Sequence, residues 1–258
     1  MPTFTSNTAQ INFQTFGDQS NPAIIFSNSL GTNYSMWQPQ IEFFKSNYFI
    51  ICYDTRGHGK STAPQGPYNL ELLGEDVINL LNHLEISKAI FCGISMGGIT
   101  GQWLAQHYPD RFNYVIVCNT AAKIGSENTW LDRANLVREQ GLLPIASTAA
   151  GRWFTDPFIQ SNPTIVAKLS NDLGAGSPEG YASCCEALAK ADVREDLSKI
   201  RIPVLIIAGQ QDPVTTVEDG LYMQHNIPGS QLFEINASHI SNLEKADDFN
   251  RAIQKFIV

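Results

Sequence analysis

Along this chain, short apolar runs alternate with longer stretches whose apolar residues recur every three or four positions. The short runs are Ala23–Ser27, Tyr48–Tyr53, Ala89–Cys92, Tyr114–Cys118, Val204–Ala208 and Gln231–Ile235. They are rich in Ile, Val and Phe and do not alternate strictly. That pattern predicts strands covered on both faces, as in a parallel sheet wrapped by helices. The opening segment from Phe4 to Phe16 alternates better and ends at Gly17-Asp18, so it reads as an antiparallel hairpin on the sheet edge. Leu70, Leu73, Val77, Leu80, Leu81 and Leu84 form a helical stripe. A further helix is expected after Ser95, stopping at Pro109, and another over Asn242–Val258.

The rhythm breaks between Ala122 and Ser198. Helical segments there carry Trp130, Trp153 and Tyr181, a Gly/Ser/Pro turn lies at Gly174–Pro178, and a strand resumes after Ile202-Pro203. The stretch is either a set of extra packing helices or a cap inserted after the sixth core strand. Ligand sites of open α/β sheets form at the C-terminal ends of strands, which favours the cap. The expected organisation is an α/β core from 1–121 and 199–258, with a mostly parallel central sheet flanked by helices, carrying a helical cap over 122–198.

Composition narrows the partners. With 258 residues the chain has room for one large domain or a catalytic domain with a modest insertion. A net charge of -8, with no basic tract, argues against nucleic acid. It does not exclude an anionic small substrate, because one local arginine outweighs a distant diffuse field. The five cysteines are odd in number, and Cys52, Cys92 and Cys118 fall inside apolar runs. No spacing resembles a zinc site, and the adjacent pair Cys184–Cys185 is badly placed for a disulfide. These features read as a reducing compartment. The opening MPTFTSNTAQ has neither the basic nor the apolar region of a signal peptide, and no apolar run approaches a membrane span. A cytoplasmic protein is expected, with no metal or cofactor and no membrane partner.

The chemical signal is Gly93-Ile94-Ser95-Met96-Gly97-Gly98, placed between an apolar run and a helix. Alone, G-x-S-x-G is weak; in this strand–turn–helix setting it is the context of a nucleophile elbow. Serine is a weak nucleophile and needs a base, which in turn needs an orienting acid. Downstream lie His107, within the helix leaving the elbow, His225, in a helical stretch after the seventh strand, and His239, in the loop Asn236-Ala237-Ser238-His239 after the last strand, which is the favoured base. For the acid, Asn119 after one strand cannot be an anion. Asp212, in the turn after Val204–Ala208, can be. The expected triad is Ser95, Asp212 and His239. The expected oxyanion donors are the backbone N–H groups of Met96 and of Leu30, in Ser27-Asn28-Ser29-Leu30-Gly31. In the segment Asp54–Ser61, Arg56 and His58 read as loop tethers rather than catalytic groups.

With these residues in place, the chain resembles the 3-oxoadipate enol-lactonase group of α/β-hydrolases. The matching stretches are SNSLGTNYSMW (27–37), YDTRGHGKS (53–61), GPYNLELLGEDV (66–77), FCGISMGGITGQWLA (91–105), CNTAAKIGSENTW (118–130), RWFTDP (152–157), YASCCEAL (181–188) and IAGQQDPVT (207–215). YDTRGHGKS and the elbow are shared widely among α/β-hydrolases. SNSLGT in place of the usual His-Gly oxyanion segment, CNTAAKIG with its trailing tryptophan, and the Cys-Cys pair are the discriminating features. The resemblance implies an α/β-hydrolase fold and a small enol-lactone substrate bearing an acetate arm, opened to 3-oxoadipate in aromatic catabolism. It leaves open attack by Ser95 or by water activated by His239. The substrate carboxylate then needs a cation: Arg133 is the first candidate and Lys123 the second, with Trp130, Trp37 and Trp153 as candidate walls. The competing readings are a general carboxylesterase or C–C bond hydrolase on the same scaffold, and a non-catalytic binding protein.

Overall fold

The computed structural model describes residues 2–258. Among them, one sheet is built from β1 (Thr3–Ser6), β2 (Ala9–Phe16), β3 (Ala23–Ser27), β4 (Phe49–Tyr53), β5 (Ala89–Ile94), β6 (Phe112–Cys118), β7 (Val204–Gly209) and β8 (Gln231–Ile235). Their spatial order is β1-β2-β4-β3-β5-β6-β7-β8. β1–β2 and β2–β4 pair antiparallel, and the remaining neighbours pair parallel. Every residue of β3, β4, β5 and β7 is buried. These strands therefore read as unbroken apolar runs, since helices cover both faces. In β1 burial alternates, and the hairpin turns at Asn7, whose φ of 50° suits an asparagine.

Helices fill the crossovers. The Leu70–His83 helix starts at Asn69, whose side chain accepts from Leu72 N, and its leucine stripe is buried. The Met96–His107 helix leaves the elbow, and Pro109 opens a short 3₁₀ turn just beyond it. The single helix expected over Asn242–Val258 is instead two, Ser241–Glu244 and Ala246–Ile257, broken at Lys245 (φ -134°, ψ 54°). No glycine or proline marks that break. It is made by tertiary hydrogen bonds that hold Glu244 against Ser238 and Thr155. Beyond it Phe249, Ile253 and Ile257 repeat at four-residue spacing and are buried.

Between β6 and β7 the chain forms the helices Glu127–Gln140, Leu143–Ala146, Ala149–Trp153, Asp156–Ser161, Pro163–Gly174 and Pro178–Lys190. They lie over the C-terminal edge of the sheet, where they enclose a cavity with Ser95 and His239. The two long members, Glu127–Gln140 and Pro178–Lys190, pack along each other. Arg138 of the first forks onto Glu179 and Glu186 of the second at 2.6–3.0 Å. At the base of this layer, Val193 N donates to Ala122 O at 2.9 Å, joining the entering and leaving strands of chain. Where it meets the loop after β4, Gly180 faces Gly57. A Cβ on either would lie within 2.4 Å of the other's Cα, so this close seat requires glycine on both sides. Among the described residues no helix is long and apolar enough to cross a membrane.

Candidate active site

β5 ends at Ile94 and a helix begins at Met96, so the whole reversal falls on Ser95, at φ 56° and ψ -115°. A non-glycine residue held in such a conformation costs about 1–3 kcal/mol and persists only where its surroundings enforce it. Here Ser95 N donates to Cys118 O at 2.9 Å, and Ser95 O accepts from Thr120 Oγ1 at 2.7 Å. The flanking glycines supply the space. A Cβ on Gly93 would sit 2.2 Å from Gly97 O, and one on Gly97 would sit 2.4 Å from Ser27 O.

Asp212 and His239 arrive on the loops after β7 and β8. Asp212 Oδ2 accepts from His239 Nδ1 at 2.8 Å, Asn119 Nδ2 at 3.0 Å and Thr215 Oγ1 at 2.9 Å. Its Oδ1 accepts from the amides of Val214 at 2.7 Å and Thr215 at 3.1 Å. Burial pushes this carboxyl up, but His239, Asn119 and the Val214 amide outweigh it and hold the group below its ordinary 3.8. Asp212 is thus a fixed anion. It places the imidazole proton on Nδ1 and leaves Nε2 as the acceptor on the other side of the ring.

Asn119, which sequence excluded as the acid, sits beside it. Its backbone is left-handed (φ 42°), and its Nδ2 also donates to Ser238 O at 3.1 Å. Ser241 Oγ donates back to Asn119 Oδ1 at 2.5 Å. One asparagine therefore ties the acid loop to the histidine loop. The sequence signal for this was its place at a strand end; its partners come only from the fold.

The loop after β3 is pinned from several sides. Asn28 O accepts from Gly97 N at 3.1 Å, Asn28 Nδ2 donates to Tyr53 O at 2.8 Å, and Trp37 Nε1 donates to Asn28 Oδ1 at 2.9 Å. Gly31 N donates to His58 Nε2 at 2.9 Å, which requires that nitrogen to be unprotonated. Burial lowers the His58 pKa and favours the neutral ring. Among the described residues, neither Leu30 N nor Met96 N donates to a protein acceptor. Leu30 lines the same cavity as Ser95, and Met96 follows Ser95 in the chain. Arg56 grips Asp76 through Nε and one terminal nitrogen at 2.7 and 2.5 Å, wholly buried and away from the cavity.

Ser95, Leu30 and His239 open into a cavity of about 240 Å³. Its far wall comes from the helical layer: Trp130, Arg133, Arg152, Trp153, Leu173 and Tyr181. Arg133 and Arg152 are both there, and no carboxylate is among the described lining residues. The Arg133 guanidinium lies 4.8 Å from the Trp130 ring centre. Arg152 donates to Thr148 Oγ1 at 2.6 Å and Ile145 O at 3.0 Å. Burial lowers its pKa, and the like charge of Arg133 adds to that. Burial also raises the Tyr181 phenol, so its hydroxyl is neutral. Two arginines without acidic partners make an electropositive chamber in an otherwise acidic protein.

A family model described as the alpha/beta hydrolase fold matches residues 22–246. The chain belongs to the α/β-hydrolase family. It is 63% identical to 3-oxoadipate enol-lactonase 2 of Acinetobacter baylyi, over 98% of this chain and 94% of that protein. It is 47% identical to 3-oxoadipate enol-lactonase 1 of the same species, over 96% of this chain and 92% of that one. Among solved structures it is similar to the enol-lactonase from Burkholderia xenovorans LB400, with a TM-score of 0.97, 40% identity and 99% coverage of both chains.

In this α/β-hydrolase, two residues expected at the pocket lie elsewhere. Trp37 is fully buried in the core, stacked on Phe26 with ring centres 4.7 Å apart, and it braces Asn28 instead of walling the cavity. Lys123 is outside the cavity lining, paired at 3.2 Å with Asp192 near the base of the helical layer. Conversely, Arg152 and Tyr181 line the cavity though neither was singled out as a site residue. Both fall within matching stretches, RWFTDP and YASCCEAL, but sequence does not show which face of a helix meets a pocket.

Proposed function

We propose that this α/β-hydrolase opens 3-oxoadipate enol-lactone to 3-oxoadipate, using Ser95 as nucleophile, His239 as base and Asp212 as its orienting anion. The observation that carries the reading is the chamber itself. A strained elbow serine and an Asp-paired histidine share with two arginines that have no carboxylate beside them a space sized for a small ring. The names of its relatives supply the substrate class.

In the proposed course His239 Nε2 takes the Ser95 hydroxyl proton as Oγ adds to the lactone carbonyl. The amides of Leu30 and Met96 donate to the oxyanion. The ring C–O bond breaks as the carbonyl re-forms. The ring oxygen leaves as an enolate, takes up the proton and tautomerises to the ketone. Water deprotonated by His239 then cleaves the Ser95 ester and releases the carboxylate. The left-handed Ser95 backbone favours this covalent route over direct attack of water, because that strain serves to present Oγ. The acetate arm is bound by Arg133, whose planar guanidinium suits a carboxylate. Trp130 and Trp153 flank the ring.

In this reading residues 122–198 are a cap whose contribution is substrate recognition. The setting is cytoplasmic and reducing, supported by five free, buried cysteines. The test is to follow enol-lactone ring opening by ultraviolet absorbance beside hydrolysis of neutral nitrophenyl esters. A strong preference for the lactone is expected. Turnover of the esters with none of the lactone would overturn the assignment.

A further inference from the structure

His239 is held from two directions, and one of them is the helical layer. On its N-terminal side, Ser238 N donates to Glu244 Oε2 at 3.0 Å. The same carboxylate accepts from Thr155 N at 3.4 Å and, through Oε1, from Thr155 Oγ1. On its C-terminal side, Ile240 N donates to Trp153 O at 2.9 Å. A backbone amide of each residue flanking the candidate base is thus anchored, directly for Ile240 and through Glu244 for Ser238, to residues 153–155 of the layer that carries Trp153 and Arg152 into the cavity. From the core, the same loop is held by the Asn119 bond to Ser238 O, by the Asp212 bond to the ring and by Gln211, whose N donates to Ala237 O at 3.0 Å and whose Nε2 donates to Asn236 Oδ1 at 2.7 Å.

The unexpected break at Lys245 serves this arrangement. A continuous helix over 242–258 would carry Glu244 away with its axis. The separate turn Ser241–Glu244 instead aims the carboxylate back at the histidine loop. Glu244 has no cationic partner within salt-bridge distance among the described residues, so its hydrogen bonds are to Ser238 and Thr155.

We propose that Glu244 is a positioning residue which, with Thr155, couples the seating of the helical layer to the placement of the His239 imidazole. Catalysis is sensitive to such placement, since displacement of a reacting group by 1 Å costs about a hundredfold. The coupling also gives substrate binding a route to the base. Engagement of Arg152 and Trp153 by a ligand fixes the segment from which Ile240 N and, through Glu244, Ser238 N are held. The inference rests on His239 being the base.

The experiment compares Glu244→Ala and Thr155→Val with the conservative Glu244→Gln and Thr155→Ser. Gln keeps an oxygen for Ser238 N and Thr155 N and an amide to donate to Thr155 Oγ1, and Ser keeps the hydroxyl. Steady-state kinetics on the lactone, kcat against pH, and thermal melting are measured for all four. The expected result is a fall in kcat of about ten- to hundredfold for Glu244→Ala, and less for Thr155→Val. A displaced apparent base pKa should accompany the fall, KM should change little, and both conservative variants should recover most of kcat. If Glu244→Ala melts lower but its folded fraction keeps wild-type kcat and pH profile, the residue is only structural and the proposal fails. It fails too if Gln is as damaging as Ala. His239→Ala separates the two levels: retained activity there sinks the triad, whereas an inactive His239→Ala beside a normal Glu244→Ala sinks only the coupling.

Discussion

The two walls of the cavity are built on opposite principles. On the core side, Asp212 receives its donors from four residues, two through backbone amides, and the loop after β3 is pinned through both the backbone and side chain of Asn28. On the helical side, aromatic rings frame Arg133 and Arg152, which meet no carboxylate there. The satisfied wall has one geometry and suits bond-making, where small displacements are expensive. The wall without counter-charges stores electrostatic potential for a ligand to neutralise, and so suits recognition. In the proposed function, reaction type is thus written on the core loops, and substrate identity on the helical layer.

The sharpest way to break this division is Ser95→Ala. Turnover of lactone and neutral ester alike should fall by about five to six orders of magnitude with melting temperature unchanged. Residual lactone turnover near wild type would put the chemistry elsewhere. Asp212→Asn should cost about 10⁴-fold in kcat, again on both substrates, because the amide favours the wrong imidazole tautomer. A loss confined to the lactone would mean that the core wall also reads the substrate.

On the other wall, Arg133→Ala should raise KM for the anionic lactone about ten- to hundredfold and leave a neutral ester almost untouched. Arg152→Ala tests whether the second guanidinium shares the load. Equal effects of Arg133→Ala on both substrates would collapse the comparison.

The smallest effect concerns the framework of the helical layer. Hydrogen bonding to Arg138 outweighs burial and lowers the Glu179 pKa from 4.5 to about 2. The stabilisation from this depressed acid is complete above the unfolded value and is lost as pH falls from about 4.5 toward 2. Both side chains are about one-third exposed, so screening keeps the contribution small. Glu179→Gln should therefore lower melting temperature slightly at neutral pH, with the difference from wild type closing across that acid window. Curves that stay parallel through it would show that the pair does not stabilise the layer.

The elements most legible in the sequence were those fixed by local pattern. Fully buried strands announce themselves as apolar runs, and a serine with glycines two positions away on either side at a strand–helix junction has few other structural meanings. Asp212 and His239 could be singled out together, and are paired in the fold, because strand ends in a parallel sheet converge on one edge, so chain order already carries spatial order. Trp37 and Lys123 were misplaced for the opposite reason. Which side of a loop a tryptophan faces depends on a partner such as Asn28, and which carboxylate a lysine finds depends on the folded neck around Asp192.

By itself, then, the sequence determined the sheet and the strand–turn–helix setting of Ser95, and it singled out Asp212 and His239 as candidates, because these depend on residue type and on position relative to strand ends. Only the tertiary structure decided that Asn119 braces the acid, that Arg152 and Tyr181 join Arg133 at the cavity, and that the last helix breaks at Lys245 to turn Glu244 toward the histidine loop. Those outcomes depend on contacts between segments up to 122 residues apart, where local propensity is silent and the partner available in space makes the choice.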